Sequence, residues 1–395
     1  MNRFSRRSLF QGLAGLAGGS LVAKTGLFPS TAHAQMGEKP ALLVVFLSGG
    51  YNALFSSANS FATAGTFGVT GSNQRDLGNG LVVDAPTFGT LPAFALSHMA
   101  TVGVRHGISN HGAAQSACFS DGSRSYALKL ASALGGDASI KCAQLGTRGM
   151  PGPRPTENGV SLQVITDMRS TIEALGGSLD VTRPDRAAAE KALSASYTMS
   201  AATLFNSPTM TKQLGEGYQA AIETLRQPVR QFNFADLATA YGLANNATSV
   251  NSFSAQMAAA ELMITSGTNV ALAMDGGWDT HGDRSGSTVR TMMTQRILPG
   301  LRTFISRMVN APNRNVVVAI MGDFARSLPG SDHASALSAT VIGKYVRVGT
   351  TGRMNDRVQL PAGAPSAPGL WSYLSRVLQT STQPFGINPH GALVL

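Results

Sequence analysis

The chain has 395 residues, 43% of them hydrophobic and only 13% charged, with a formal net charge of +10. This length and composition are sufficient for a large buried core within one large domain. Because the sequence has no run of lysine or arginine and no basic stretch interleaved with aromatic residues, we exclude nucleic acid as a partner.

The first 34 residues predict a twin-arginine signal peptide. Arg6 and Arg7 precede a weakly hydrophobic run, and residues 32–34 have the Ala-His-Ala pattern that a signal peptidase accepts. We therefore expect export through the twin-arginine translocase to the periplasm or the exterior, with cleavage after Ala34. This segment carries four of the 31 basic residues and none of the 21 acidic ones, so its removal lowers the net charge to 27 − 21 = +6.

The same stretch does not predict a lasting membrane anchor. It contains Lys24, Pro29 and several glycines, so it is too weakly apolar to cross about 30 Å of hydrocarbon. We expect no stable membrane span after cleavage, and we take residues 35–395 as a single folded domain.

Four short aliphatic runs predict strands that are buried on both faces, as in parallel sheets. In chain order they are residues 41–47, 99–104, 269–274 and 315–321. A segment of helical composition, 287–309, separates the last two runs, with Pro299 expected to kink or break it. Strand, helix and strand in this order predict a βαβ unit.

The predicted fold class is α/β, a three-layer sandwich with a central, mostly parallel sheet and helices on both faces. Residues 186–227 and 234–266 have helical composition and spacing, so we expect a helical insertion around 186–266. Glycine, proline and serine are concentrated in three further stretches, which we expect to be long loops. These are residues 63–92, 145–160 and 350–368.

Cys118 and Cys142 are the only cysteines. In an oxidising compartment, a disulfide between them would add about 3 kcal/mol by constraining the unfolded chain. Two buried free thiols are the alternative, and the sequence leaves both open.

An Asp-x-His motif follows the third predicted strand. Asp279 and His281 are two residues apart, so in an extended segment their side chains point to the same side. A carboxylate and an imidazole are common ligands of a divalent metal such as zinc. Taken alone, the motif is equally well explained by a surface turn followed by a capped helix.

Further aspartates and a histidine follow the next strand. Asp323 comes directly after it, and Asp332 and His333 come within ten residues. Open α/β sheets place their binding sites at the carboxyl edge, where such segments meet. We therefore predict a metal site formed by Asp279, His281, Asp323 and His333, with Asp332 as an additional candidate.

His106 and His111 lie in a polar segment after the second predicted strand and are further candidates. In one interpretation they belong to a loop in which the histidines cap a helix beginning near Ala113. In the other, they form a polar wall that faces the Asp/His residues and holds an anion near a helix N-terminus. Both interpretations remain open.

Five segments behind the twin-arginine leader, in this order, resemble one family. They are LLVVFLSGGYNAL at 42–54, NHGAAQS at 110–116, GGWDTHGD at 276–283, MGDFARSLPGSDHAS at 321–335 and VIGKYVRVGTTG at 341–352. The family is the exported bacterial family catalogued as domain of unknown function 1501, which is similar to the alkaline phosphatase and sulfatase superfamily.

The resemblance implies an alkaline-phosphatase-like fold whose site binds one or two divalent ions, such as zinc, manganese or calcium. It implies that Asp279, His281, Asp323 and His333 are the ligands. In this chain, Asn52 stands where many relatives have an acidic ligand, and Phe324 stands where phosphatases often have a histidine. These departures leave open a single-ion site or none.

Two functions are consistent with these observations. The first is an exported metal-dependent hydrolase that acts on a phosphate or sulfate ester, an anionic substrate. The second is a non-catalytic binding or assembly protein of the cell envelope on the same fold, because no spacing selects a nucleophile among Ser56, Ser57, Ser109 and Ser116. A redox enzyme is disfavoured, since no Gly-x-Gly-x-x-Gly follows the first strand and two cysteines cannot hold a four-thiolate cluster.

Overall fold

The computed structural model describes residues 38–149, 151–152, 156–175, 191–192, 194–199, 232–244, 246–328 and 331–395. The predicted signal peptide, its cleavage site and most of the stretch 186–227 lie outside these residues. The described parts of that stretch, 191–192 and 194–199, are helical. Gly37–Leu175 and Phe234–Leu395 form one of the two compact units into which the chain divides, and the fold below is that of this unit.

The strands of this unit include all four that the aliphatic runs predicted, which are confirmed as β1, β5, β8 and β9. In chain order the strands are β1 Lys39–Leu47, β2 Tyr51–Asn52, β3 Gln74–Gly78, β4 Leu81–Asp84, β5 Met99–Arg105, β6 Cys142–Leu145, β7 Leu162–Ile165, β8 Val270–Asp275, β9 Arg314–Gly322, β10 Ala325–Leu328, β11 Asp332–His333, β12 Ala336–Ile342 and β13 Gly349–Thr350.

The α-helices of the unit lie between these strands along the chain or after the last of them, together with loops, short 3₁₀ turns and π-helical turns. They are α1 Ala58–Thr63, α2 Ala93–Ser97, α3 His111–Phe119, α4 Tyr126–Leu134, α5 Met168–Ala174, α6 Phe234–Tyr241, α7 Phe253–Thr265, α8 Ser287–Met292, α9 Leu298–Phe304 and α10 Ala367–Val377. α6 and α7 confirm the helical prediction for 234–266.

Pro299 does not break the predicted helix 287–309. The π-helical turn Met293–Ile297 joins α8 to α9, and a second, Ile305–Val309, follows. Pro299 therefore lies in the first turn of α9, where a missing backbone N–H costs little.

Eight strands form one mostly parallel sheet in the order β13-β5-β12-β9-β1-β8-β6-β7. Only β12 runs against the others. In the centre, the last residue of β1, Leu47, pairs with Asp275 on one side and Gly322 on the other. The loops that follow β1, β8 and β9 thus begin level with one another at one edge of the sheet.

The central strand β1 is buried throughout from Ala41 to Leu47. Its alternate residues Leu42, Val44 and Phe46 belong to a core cluster that includes side chains of α3, α4 and α10. Burying such side chains contributes about 1.5–3 kcal/mol each. This core anchors the strand ends from which the polar loops project.

The prediction of a long loop over 63–92 is wrong in part, because β3 and β4 form an antiparallel hairpin there. Asn79-Gly80, both with positive φ, make its turn, and Asn-Gly is a strong hairpin signal that the composition argument overlooked. The fully buried carboxylate of Asp84 fixes the hairpin by pairing with Arg290 at 2.8 Å.

Cys118 and Cys142 are free and buried, and burial raises the pKa of both thiols. The structure therefore favours the free-thiol alternative. No helix of the described ranges is long and apolar enough to cross a membrane.

His390 makes the stability of this unit dependent on pH. Its side chain is buried, with one ring nitrogen 2.9 Å from the Thr351 hydroxyl and the other without a hydrogen-bond partner among the described residues. Burial lowers the pKa of His390 from 6.5 to about 4. Between these values the unfolded chain binds more protons, so the free energy of unfolding falls as the pH drops below about 6.5.

We expect this effect to reach about 2 kcal/mol at pH 5 and to be absent above pH 7. Urea unfolding of the wild type and His390→Asn across this pH range measures it, because the asparagine keeps a polar group near Thr351 but does not titrate. His98→Asn serves as the control. Equal pH slopes for the wild type and His390→Asn would contradict this account.

Candidate metal centre

Glycines bring the loops after β1, β8 and β9 into close contact. A Cβ on Gly49 would overlap the backbone nitrogen of Asp279, and a Cβ on Gly322 would overlap that of Tyr51. Gly49 also has φ +111°, which disfavours any other residue. The backbone N–H of Trp278 donates to the carbonyl of Ser48 at 3.1 Å, which fixes the segment that presents Asp279.

Four side chains converge at this edge of the sheet. One potential ligand atom from each of His111, Asp279, His281 and His333 lies within 4.8 Å of the others. The carboxylate of Asp279 is 3.5 Å from Nε2 of His111 and 3.4 Å from Nε2 of His281. Ligands at 2.0–2.1 Å around a tetrahedral zinc ion are separated by about 3.3 Å, so this spacing fits such an ion.

The second nitrogen of each ring faces an acceptor. Nδ1 of His111 donates to Oδ2 of Asp323 at 2.5 Å, and Nδ1 of His333 donates to the carbonyl of Ser109 at 2.6 Å. Nδ1 of His281 is 3.6 Å from Oδ1 of Asp332. With Nδ1 protonated, the neutral rings direct the lone pair of Nε2 toward the centre, as in metal sites.

The two rings of His281 and His333 approach each other through Nε2 at 2.8 Å. Two lone pairs at this distance repel unless a proton or another cation lies close to both. Burial lowers the pKa of His333, and the nearby Arg326 lowers it further, whereas the bond to Ser109 raises it. Nη2 of Arg326 lies 3.3 Å from Nε2 of His333, so a protein cation is within hydrogen-bond distance of this pair.

Asp323, predicted as a ligand, lies behind the four converging side chains. Its carboxylate is fully buried, accepts from the backbone N–H of Gly49 at 3.0 Å and holds Nδ1 of His111 with its other oxygen. The side-chain amide of Gln115, one turn along α3, also points at that oxygen at 3.5 Å. Because both oxygens are engaged from within the protein, Asp323 orients His111 and is not among the four converging groups.

Replacing Asp323 by asparagine is expected to weaken zinc binding by about 10-fold to 100-fold, the usual cost of losing a carboxylate that orients a ligating histidine. Competition with a chromophoric chelator measures this loss. Asp121→Asn, at an exposed turn, is the matched control. If Asp323→Asn binds zinc as the wild type does, the orienting role is wrong.

Arg326 lies on the buried side of the cluster. Its side chain is fully buried, and it donates to the carbonyls of Gly49 at 2.5 Å and Ser331 at 2.7 Å and to the carboxylate of Asp279. Burial lowers the pKa of Arg326, whereas Asp279 opposes the shift. This guanidinium neutralises one oxygen of Asp279, and the other oxygen faces His111.

The remaining predicted residues surround this centre. His106 binds the backbone carbonyl of Asp323 at 2.8 Å, and Asp332 accepts from the backbone N–H of His333 at 2.9 Å. Oδ1 of Asn52 accepts from the backbone N–H of Leu54 at 2.9 Å, so this oxygen is used to cap a turn. The ring of Phe324 stacks on that of His333 with centroids 4.0 Å apart, which makes Phe324 a support for the histidines.

None of the four serines considered as nucleophiles is singled out. Ser56 and Ser57 are buried, the Ser116 hydroxyl is 3.4 Å from that of Ser120, and Ser109 contacts the cluster through its backbone carbonyl. The N-terminus of α3 lies at the centre, because His111 is its first residue. Asn110 caps this helix by accepting from the backbone N–H of Ala113 at 3.2 Å.

The capping interpretation of the 106–112 segment is wrong in its residues, because Asn110 and not a histidine caps the helix, which begins at His111. His111 faces the Asp/His residues, as the other interpretation expected. The role of Arg326 was missed. One feature of the sequence points to this role: Arg326 lies in a buried segment after β9, where an unpaired charge would be costly.

No family model matches the chain, and no curated protein matches it. Among solved structures, the alkaline phosphatase from the Antarctic bacterium TAB5 aligns with a TM-score of 0.27 and 9% sequence identity. The alignment covers 88% of this chain and 100% of that one. Similarity at this level carries no argument about function, which therefore rests on the site itself.

Proposed function

We propose that the protein is a zinc-dependent hydrolase of a phosphate or sulfate ester. The convergence of His111, Asp279, His281 and His333, with the three rings oriented by acceptors behind them, supports this proposal. Three imidazole nitrogens and one carboxylate suit zinc, with manganese second, whereas calcium prefers six to eight oxygen ligands. Four protein ligands fill a tetrahedral zinc ion, so catalysis would require a fifth position or the release of one of the four groups; with that position open, zinc would supply a Lewis acid for the ester oxygen or an acidified water as nucleophile.

The chain's own groups would prepare the site for an anion. Asp323 holds His111 in one orientation, and Arg326 offsets the charge of Asp279 from the buried side. The backbone N–H groups of His111 and Gly112 lie in the first turn of α3, where a helix has no acceptors for them, and this end of a helix attracts anions. An anionic ester would bind between this helix end and the four ligands.

Elemental analysis and an ester screen test the proposal. The mature protein is expected to take up about one equivalent of zinc and to hydrolyse generic phosphate or sulfate esters only when loaded. His281→Ala should remove both properties, and His98→Ala should keep both. A well-folded protein that takes up neither zinc nor manganese would refute the proposal.

The alternative is a non-catalytic binding or assembly protein of the cell envelope. It is favoured by the contacts that link the cluster without any ion, from Arg326 to Asp279 and from His281 to His333. In this case Asp279→Ala would lower the free energy of unfolding of the metal-free protein, and no ester would be hydrolysed. Turnover by the wild type excludes this alternative.

The cellular setting and the wider relationship are also proposed. We propose export by the twin-arginine translocase through Arg6 and Arg7, cleavage after Ala34, a periplasmic or secreted location and no retained membrane span. We further propose a three-layer arrangement of the sheet and its helices and membership of the exported family that the five segments resemble. Amino-terminal sequencing of the exported protein, with Arg6→Lys and Arg7→Lys as export-deficient controls, tests the export route.

A further inference from the structure

Arg148 lies at the edge of the sheet that also carries the candidate metal centre. It follows the end of β6 by three residues, and β6 pairs in parallel with β8, whose following loop carries Asp279. Neighbouring strands are about 4.8 Å apart. The guanidinium of Arg148 spans this distance and contacts Gly276, the first residue after β8.

The absence of a side chain at Gly276 creates the place in which Arg148 lies. A Cβ on Gly276 would overlap Nη1 of Arg148 and approach Cζ to 2.6 Å. Gly276 itself is buried, whereas Arg148 is exposed. A free arginine has about 2 kcal/mol of rotamer entropy, and this contact restricts the side chain before any ligand arrives.

The charge of Arg148 is not used within the described part of the chain. The carboxylate of Asp275, the residue before Gly276, already accepts from Arg296 at 2.5 Å and from the indole N–H of Trp278 at 2.7 Å. Arg296 also donates to the carbonyl of Gly276 at 2.9 Å. Arg148 therefore presents an uncompensated, restrained guanidinium at the edge of the sheet from which the loop bearing Asp279 also extends.

We propose that Arg148 binds a second oxyanion on the substrate, so that the ester carries a carboxylate, phosphate or sulfate besides the group at the metal centre. A planar guanidinium can form two parallel hydrogen bonds to such a group. This inference rests on the proposed function, because it takes the four-ligand cluster as the place where the ester binds.

Calorimetric titration of the zinc-loaded mature protein with phosphonates tests the inference without turnover, because their P–C bond is not an ester. Propylphosphonate and 3-phosphonopropionate differ by one carboxylate, and the wild type is expected to bind the second about fivefold more tightly. Arg148→Gln should remove this preference and leave the affinity for propylphosphonate unchanged. Gly276→Val should reduce the preference without changing any charge, and Arg124→Gln, at an exposed turn, should keep it.

The outcomes separate the two proposals. If the wild type takes up no zinc, or binds neither phosphonate once it is loaded with zinc, the proposed function is wrong and the inference is wrong with it. If both phosphonates bind equally to the wild type, or Arg148→Gln keeps the preference, the inference alone is wrong. Propane-1,3-diphosphonate as a third ligand identifies the preferred second group, since a phosphate-recognising Arg148 binds it more tightly than the carboxylate analogue.

Discussion

His281→Ala is expected to lower the affinity of the protein for zinc by roughly 100-fold to 1000-fold. Zinc binding free energies of about 10–16 kcal/mol, shared among four ligands, correspond to about 2.5–4 kcal/mol for each. The side chain of His281 is half exposed, so its removal creates no cavity. Nε2 of His333 would also lose the partner that it faces at 2.8 Å. Competition with a chromophoric chelator at fixed pH measures the change in affinity.

Two controls make this result specific. His98→Ala removes a half-buried histidine directly after α2 whose ring stacks on Phe94, and it should leave zinc affinity unchanged. Asp332→Asn removes the negative charge 3.6 Å from Nδ1 of His281 and should have a smaller effect than losing the His281 side chain itself. Unchanged zinc affinity in His281→Ala would show that the four side chains do not bind an ion together.

The central strands and the positions of three of the four converging side chains could be predicted because each depends on local sequence. Strand β1 is apolar over seven consecutive residues, and only burial on both faces accounts for this pattern. Asp279, His281 and His333 follow strand ends, and the carboxyl edge of a parallel sheet brings such segments together. The hairpin β3–β4 was missed because composition was given more weight than its Asn79-Gly80 turn.

The roles of Asp323 and His111 could not be assigned from the sequence. Both residue types are metal ligands, and which of them binds the ion and which lies behind depends on the direction of each side chain at the junction of α3 and β9. The structure directs Asp323 toward the backbone of Gly49, so that His111, at the first turn of α3, faces the centre. Such a choice depends on packing between segments more than 200 residues apart.

Arg326→Met is expected to lower the free energy of unfolding of the metal-free protein by about 2–4 kcal/mol, because it leaves two buried carbonyls without their donor, whereas Asp279, 51% exposed, regains contact with water. Methionine fills a similar volume, so the loss comes from the acceptors left behind. These are the carbonyls of Gly49 and Ser331 and one oxygen of Asp279. Urea unfolding in the presence of a chelator measures the change.

A matched comparison separates burial from charge as the cause. Arg296→Met also breaks an arginine–aspartate pair at this edge, but Arg296 is 43% exposed and its partner Asp275, 14% exposed, keeps the indole N–H of Trp278, so we expect a smaller loss of about 1 kcal/mol. Arg326→Lys keeps the positive charge but cannot reach three acceptors in different directions, so its stability should lie between those of the wild type and Arg326→Met. If Arg326→Met and Arg296→Met lose equal stability, Arg326 is not the buried counter-charge of Asp279. In that case Arg326 does not offset the charge of Asp279, and a bound ion would have to do so. Zinc would then raise the free energy of unfolding of Arg326→Met by no more than it raises that of the wild type.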